Sequence, residues 1–185
     1  MSPWQTHSSR TAYENPWIRV REDTVTRPDG GEGIYGVVEV RHPAVFVVPV
    51  TEDDEVVLVE LFRYTTGRTS LEVPSGGSDG QEPLLAARRE LQEETGLVAD
   101  TWQRLGGMDA LNGVCHAPEH IFLARGLRPA AAAAGTTAAQ DEEGITAVRT
   151  VPWPEVMGLV SDGTITDGET LAALLHAGIA LGRIG

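Results

Sequence analysis

The 185-residue chain contains no lysine; all fourteen of its basic residues are arginines. This excludes Schiff-base catalysis, a lysine general base and the lysine of a P-loop. Cysteine is almost as scarce. Cys115 stands alone, so no internal disulfide framework exists and a reducing, cytoplasmic setting is expected. No window approaches 18 uninterrupted apolar residues, which excludes a transmembrane helix. The first residues, Met-Ser-Pro-Trp-Gln-Thr-His, carry no basic stretch followed by an apolar one, so no secretory signal is expected. Positive charge is also in deficit, with a formal net charge of −13. A general nucleic-acid binder needs a basic footprint, so the charge argues against that class. It does not argue against a small phosphorylated ligand held through a cation.

The remaining chain reads as one domain with a small appendage, alternating strand-like runs with a few helices, an α+β or α/β sandwich. Residues 1–12 are polar and expected to be loose. Trp17–Val25 and Ile34–Val40 are rich in β-branched residues and flank a glycine-rich turn, which predicts an antiparallel strand pair. Ala44–Val50 is almost wholly apolar, as a strand buried on both faces would be. Val56–Tyr64 is its expected hairpin partner, and Leu71-Glu-Val-Pro runs into a Ser/Gly loop at 75–80. A helix is predicted from about Pro83 to Glu94, with proline in its first turn and Gly96 at its exit. Leu97–Leu105, Glu119–Ala124 and Ile145–Val151 are further strands. The Ala/Thr/Gly stretch 130–140 is expected to be a mobile surface loop. Trp153–Ser161 and Gly168–Leu181 complete the chain as helices.

The predicted helix Pro83–Glu94 holds the chemistry. Glu90, Glu93 and Glu94 stand at i, i+3 and i+4, within an arc of roughly 100° on one face. Leu84, Ala87 and Leu91 form a neighbouring apolar stripe that can dock on a sheet. Carboxylates one turn apart repel unless something neutralises them. The face therefore suits a hard divalent cation with oxygen ligands, Mg²⁺ or Mn²⁺. An acidic surface face without a metal remains the alternative at this point.

Arg89-Glu90-Leu91, then Glu93-Glu94 and Gly96-Leu97, reproduce the second half of the Nudix box, and the sequence resembles the Nudix hydrolase family. The first half departs from the pattern. Counting back from Arg89 puts Gln81 where the family has glutamate, whereas Glu82 fits only when counted from Gly76. Leu58–Tyr64, Leu71–Gly76 and the 152–170 region resemble the ADP-ribose pyrophosphatase branch. A proline that this branch often carries beyond the box is replaced by Asn112-Gly113.

The resemblance implies a Nudix-like α/β/α sandwich with a mixed sheet over 42–185. Residues 1–41 would be an N-terminal strand-pair extension that dimerises the protein. It implies metal-dependent hydrolysis of the pyrophosphate of a nucleoside diphosphate linked to another moiety, ADP-ribose or another nucleotide-sugar leading. The alternative is a non-catalytic ligand sensor of the same fold. Implied metal ligands are Glu90, Glu94, Glu93 and the Ser75 carbonyl, with Arg89 orienting the carboxylates. Glu143, then Glu142, are candidate general bases, and Glu93 is placed with the catalytic groups. Arg63 is the implied phosphate contact, and Tyr13 and Trp17 would line the nucleotide pocket of a homodimer.

Overall fold

The protein is described here by a computed structural model covering residues 2–131 and 136–184. It divides into two units. The first comprises residues up to Pro43 together with Asp109–Pro118, and the second comprises Ala44–Met108 and Glu119 onward.

The first unit is a four-stranded sheet in the order β1-β2-β3-β9, formed by β1 (Gln5–Glu14), β2 (Ile18–Thr26), β3 (Glu32–Val40) and β9 (Cys115–His116). The expected pair is present as β2 and β3. The loose N-terminus is not: its polar residues form β1, which pairs antiparallel with β2. Every residue of β1 is exposed, so no apolar alternation betrays it. Backbone pairing and polar cross-strand contacts hold it instead, including Ser9 to Asp23 and Arg10 to Glu22.

The second unit contains a mixed sheet, β7-β4-β10-β8, and a three-stranded sheet, β11-β5-β6. Strand β4 (Ala44–Pro49) runs parallel to β10 (Pro118–Pro129) and antiparallel to β7 (Ser75–Gly77); β8 (Leu97–Asp109) lies outside β10. Central position explains the apolar run of β4. Val45 and Val47 pack with Ala86, Ala87 and Leu91 of α1 (Pro83–Thr95). Phe46 and Val48 face the other way, with Leu58, Ile121, Trp153 and Leu174. The predicted β4–β5 hairpin closes only at its turn, where the Thr51 amide donates to the Glu55 carbonyl at 2.9 Å and Val50 bridges Val56; β5 (Glu55–Arg63) then leaves for the three-stranded sheet, between β6 (Arg68–Glu72) and β11 (Ile145–Pro152), and touches β4 through core side chains.

Helix α1 begins and ends as its sequence dictates. Glu82 caps it, accepting from the Leu85 amide at 3.2 Å, Pro83 opens it, and Gly96 leaves it in the left-handed conformation (φ 72°). Leu91 is fully buried, a contribution of about 2–3 kcal/mol for a leucine side chain. The stretch 130–140 expected to be a loop instead runs into α2 (Thr136–Glu143); residues 132–135 lie outside the described residues. Helices α3 (Trp153–Ser161) and α4 (Gly168–Ala180) follow the prediction closely.

Candidate active site

The apolar stripe of α1 docks on β4, and the helix geometry then fixes where its carboxylates go. Glu90 and Glu94 turn inward and are each only 2% exposed. Glu143, from α2, joins them: one carboxylate oxygen from each residue lies within 4.8 Å of the others. Gln140, one turn earlier on α2, donates to the Glu94 carbonyl at 2.6 Å.

Two features show that this pocket suits a cation. Glu90 Oε2 is buried without a hydrogen-bond partner among the described residues, and a buried unpaired carboxylate oxygen is costly. Burial lifts the Glu90 carboxyl to about 7; Arg89 opposes the rise, while Glu143 and Glu93 add to it. Burial, the hydrogen bond with Glu143 and its charge raise Glu94 well above the ordinary carboxylate range, although the Ser75 amide counters them. A divalent cation would supply the missing partner and remove the mutual repulsion.

The glycine loop packs against these acids. The Ser75 amide donates to Glu94 Oε2 at 2.9 Å, and a side chain at Gly76 would collide with the Glu90 carboxylate. Arg89 organises the rim. It reaches Glu90 Oε1 and Glu93 Oε2, each at 2.9 Å, the Gly77 carbonyl at 2.8 Å and Gln81 Oε1 at 3.3 Å. Gln81 is thus the neighbour of Arg89, while Glu82 is taken up by the cap of α1.

Arg63 and Ser75 line a cavity of about 390 Å³ with Arg68, Glu72, Asp167 and Glu169. The Arg63 guanidinium is held by Glu72. Glu72, Asp167 and Glu169 all lie in stretches that carry the resemblance, which assigns none of them a role. Glu93 stays outside the acidic trio, bound to Arg89, and Glu142 is exposed on α2. Tyr13 and Trp17 belong to the first unit and are exposed.

A helix carrying inward carboxylates, a glycine loop folded over them and a mixed sheet behind define a Nudix hydrolase, and the chain belongs to the Nudix family, the NUDIX domain matching residues 40–174. Residues 4–38 match the nucleoside diphosphate sugar hydrolase N-terminal domain. The chain is 34% identical over 174 residues to an ADP-ribose pyrophosphatase of Mycobacterium tuberculosis, covering 93% of this chain and 82% of that protein. It is 29% identical to a GDP-mannose pyrophosphatase of Yersinia pestis, covering 88% and 86%. A solved ADP compounds hydrolase shares the fold with a TM-score of 0.82 at 20% identity, covering 98% of this chain and 97% of that one. The protein is a metal-dependent Nudix pyrophosphohydrolase. Among the described residues no helix is long and apolar enough to cross a membrane.

Proposed function

We propose that the protein hydrolyses the pyrophosphate bond of a nucleotide-sugar, with ADP-ribose the leading candidate, using Mg²⁺ or, in its place, Mn²⁺. The observation that carries this reading is the trio Glu90, Glu94 and Glu143, in which two buried carboxylates meet an exposed one and a buried Glu90 oxygen has no partner among the described residues. The names of the two pyrophosphatase relatives support the substrate class.

In this reading Glu90, Glu94 and the Ser75 carbonyl hold the cation, which supplies charge neutralisation at the pyrophosphate and a more acidic water. Glu143 accepts the proton of the attacking water, a role for which Glu142, outside the acidic trio, is the weaker candidate. Arg89 holds Glu90 and Glu93 in register, so Glu93 acts through that contact or on a second ion. Arg63 donates to a phosphate oxygen.

Residues 1–41 form the dimerising extension in this proposal, and Tyr13 and Trp17 contact the nucleotide of a C2 homodimer. The proposed location is the cytoplasm, and no general nucleic-acid binding is expected of so acidic a chain.

A panel of nucleoside-diphosphate derivatives, assayed with Mg²⁺, Mn²⁺ and EDTA, tests the activity. Hydrolysis of ADP-ribose or a nucleotide-sugar that EDTA abolishes supports it; preference for nucleoside triphosphates overturns the substrate class. Light scattering at twice the monomer mass supports the dimer, and a monomer mass with Mg²⁺ and nucleotide present overturns it.

A further inference from the structure

The register of β5 and β6 sets four polar side chains on one face. Arg63 stands opposite Arg68, Leu61 opposite Ser70 and Val59 opposite Glu72. Arg63, Arg68, Ser70 and Glu72 all line the same cavity. Two arginines directly across from each other repel. Each therefore turns to another partner. Arg68 donates to Thr166 Oγ1 at 2.8 Å. Arg63 folds back along the strand pair to Glu72, with its Nε 3.0 Å from Oε1 and its Nη2 on Oε2.

Glu72 is 3% exposed, and Arg63 is the cation bound to it. The contact is made along one edge of the guanidinium, through Nε and Nη2. An arginine has five N–H groups in a rigid plane. Both hydrogens of Nη1 and the second hydrogen of Nη2 stay unused by Glu72, at the end of the guanidinium away from it. Arg63 is 43% exposed at its side chain, so that end remains accessible. Glu72 holds the guanidinium above even its ordinary range, and the charges of Asp167 and Glu94 add to this. Glu94 belongs to the acidic trio, which puts Arg63 within electrostatic reach of that site.

We propose that Glu72 is a positioning residue for the hydrolysis, locking Arg63 so that its Nη1/Nη2 end, and not its Nε edge, meets a substrate phosphate. The inference rests on the reading that Arg63 contacts phosphate. Its physical content is orientation. Without Glu72, the charge of Arg68 opposite drives Arg63 away from the strand, and substrate must then order a free arginine as it binds. In this proposal Glu72 itself touches neither the phosphate nor the metal ion.

The test is a double-mutant cycle on the full chain with Arg63→Ala, Glu72→Gln and the pair, read as kcat and KM for the best substrate of the panel. Mn²⁺ titration and thermal melting accompany it. Arg63→Ala should lower kcat/KM by about 100-fold. Glu72→Gln should lower it at least 10-fold, and the double variant should be no worse than Arg63→Ala alone. Mn²⁺ affinity should stay within twofold throughout, which a general collapse of the site would not allow. Glu72→Asp keeps the charge and should recover part of the loss. Additive losses, or wild-type kinetics in Glu72→Gln with Arg63→Ala impaired, overturn the proposal. Wild-type kinetics in Arg63→Ala overturn the phosphate-contact reading instead. If Glu72→Gln melts too early to assay, the partial loss in Glu72→Asp should vanish in the Arg63→Ala background, and its persistence there overturns the proposal.

Discussion

Gly76 lies against Glu90 so closely that a Cβ on Gly76 would stand 2.3 Å from Oε1 and 2.4 Å from Cδ of that carboxylate. The space belongs to the acid, and only the absence of a side chain leaves it there. Gly77, the next residue, has no such constraint: a Cβ there meets Asp79 at an ordinary 3.6 Å.

Gly76→Ala should therefore displace Glu90 and weaken Mn²⁺ binding by about 10–100-fold, the range seen when the groups supporting a metal ligand are disturbed. Gly77→Ala should leave binding near wild type. Calorimetric titration of both variants checks this. Equal affinities for the two would show that Glu90 is not a ligand.

The buried acids make the metal-free protein sensitive to alkali. The Glu90 carboxyl is raised from 4.5 to about 7, so the folded state favours its protonated form. Its penalty is absent below pH 4.5 and complete once the pH has risen past about 7, a loss on the order of 3 kcal/mol. Glu94 shifts in the same direction. In EDTA the melting temperature should thus fall by roughly 5–10 °C between pH 5 and pH 8. Mg²⁺ should restore more of it at pH 8 than at pH 5, and Glu90→Gln should flatten the profile. A metal-free melting temperature that rises across this interval would refute the assignment.

Gln81 and Glu82 have separable jobs. Glu82 caps α1 through the Leu85 amide, and Gln81 meets Arg89. Glu82→Ala should lower stability by about 1 kcal/mol with kcat preserved, while Gln81→Glu should retain activity. An inactive Glu82→Ala beside a silent Gln81→Ala would reverse the two roles.

What could be read from the sequence follows from how local each signal is. Helix α1 was legible because proline, glycine and a 3.6-residue stripe act within one turn of the chain. Strand β4 was legible as a strand, but its partners were not, because the register with β7 and β10 links residues far apart in sequence. Strand β1 has no buried face to leave a period. Glu143 was legible as the first candidate general base but not as a neighbour of Glu90 and Glu94, since nothing in the Ala-rich neighbouring sequence signals where α2 turns its side chains. Glu72 lay in a stretch that carries the resemblance, but nothing local pointed to its contact with Arg63. Its meaning comes from a cross-strand arginine pair that exists only once β5 and β6 are aligned.

The acidic trio is built from unequal supports. Glu90 and Glu94 come from a thirteen-residue helix sealed onto β4, whereas Glu143 comes from the eight residues of α2. Eight residues are too few for a helix to be stable on its own in water, and Glu143 on α2 carries a carboxylate that Glu90 and Glu94 repel. With the proposed cation seated among these carboxylates, its binding and the order of α2 would be thermodynamically linked. Each would stabilise the other by the same free energy, so a nucleotide that steadied α2 would also tighten the cation, and loss of the cation would loosen the grip on the nucleotide.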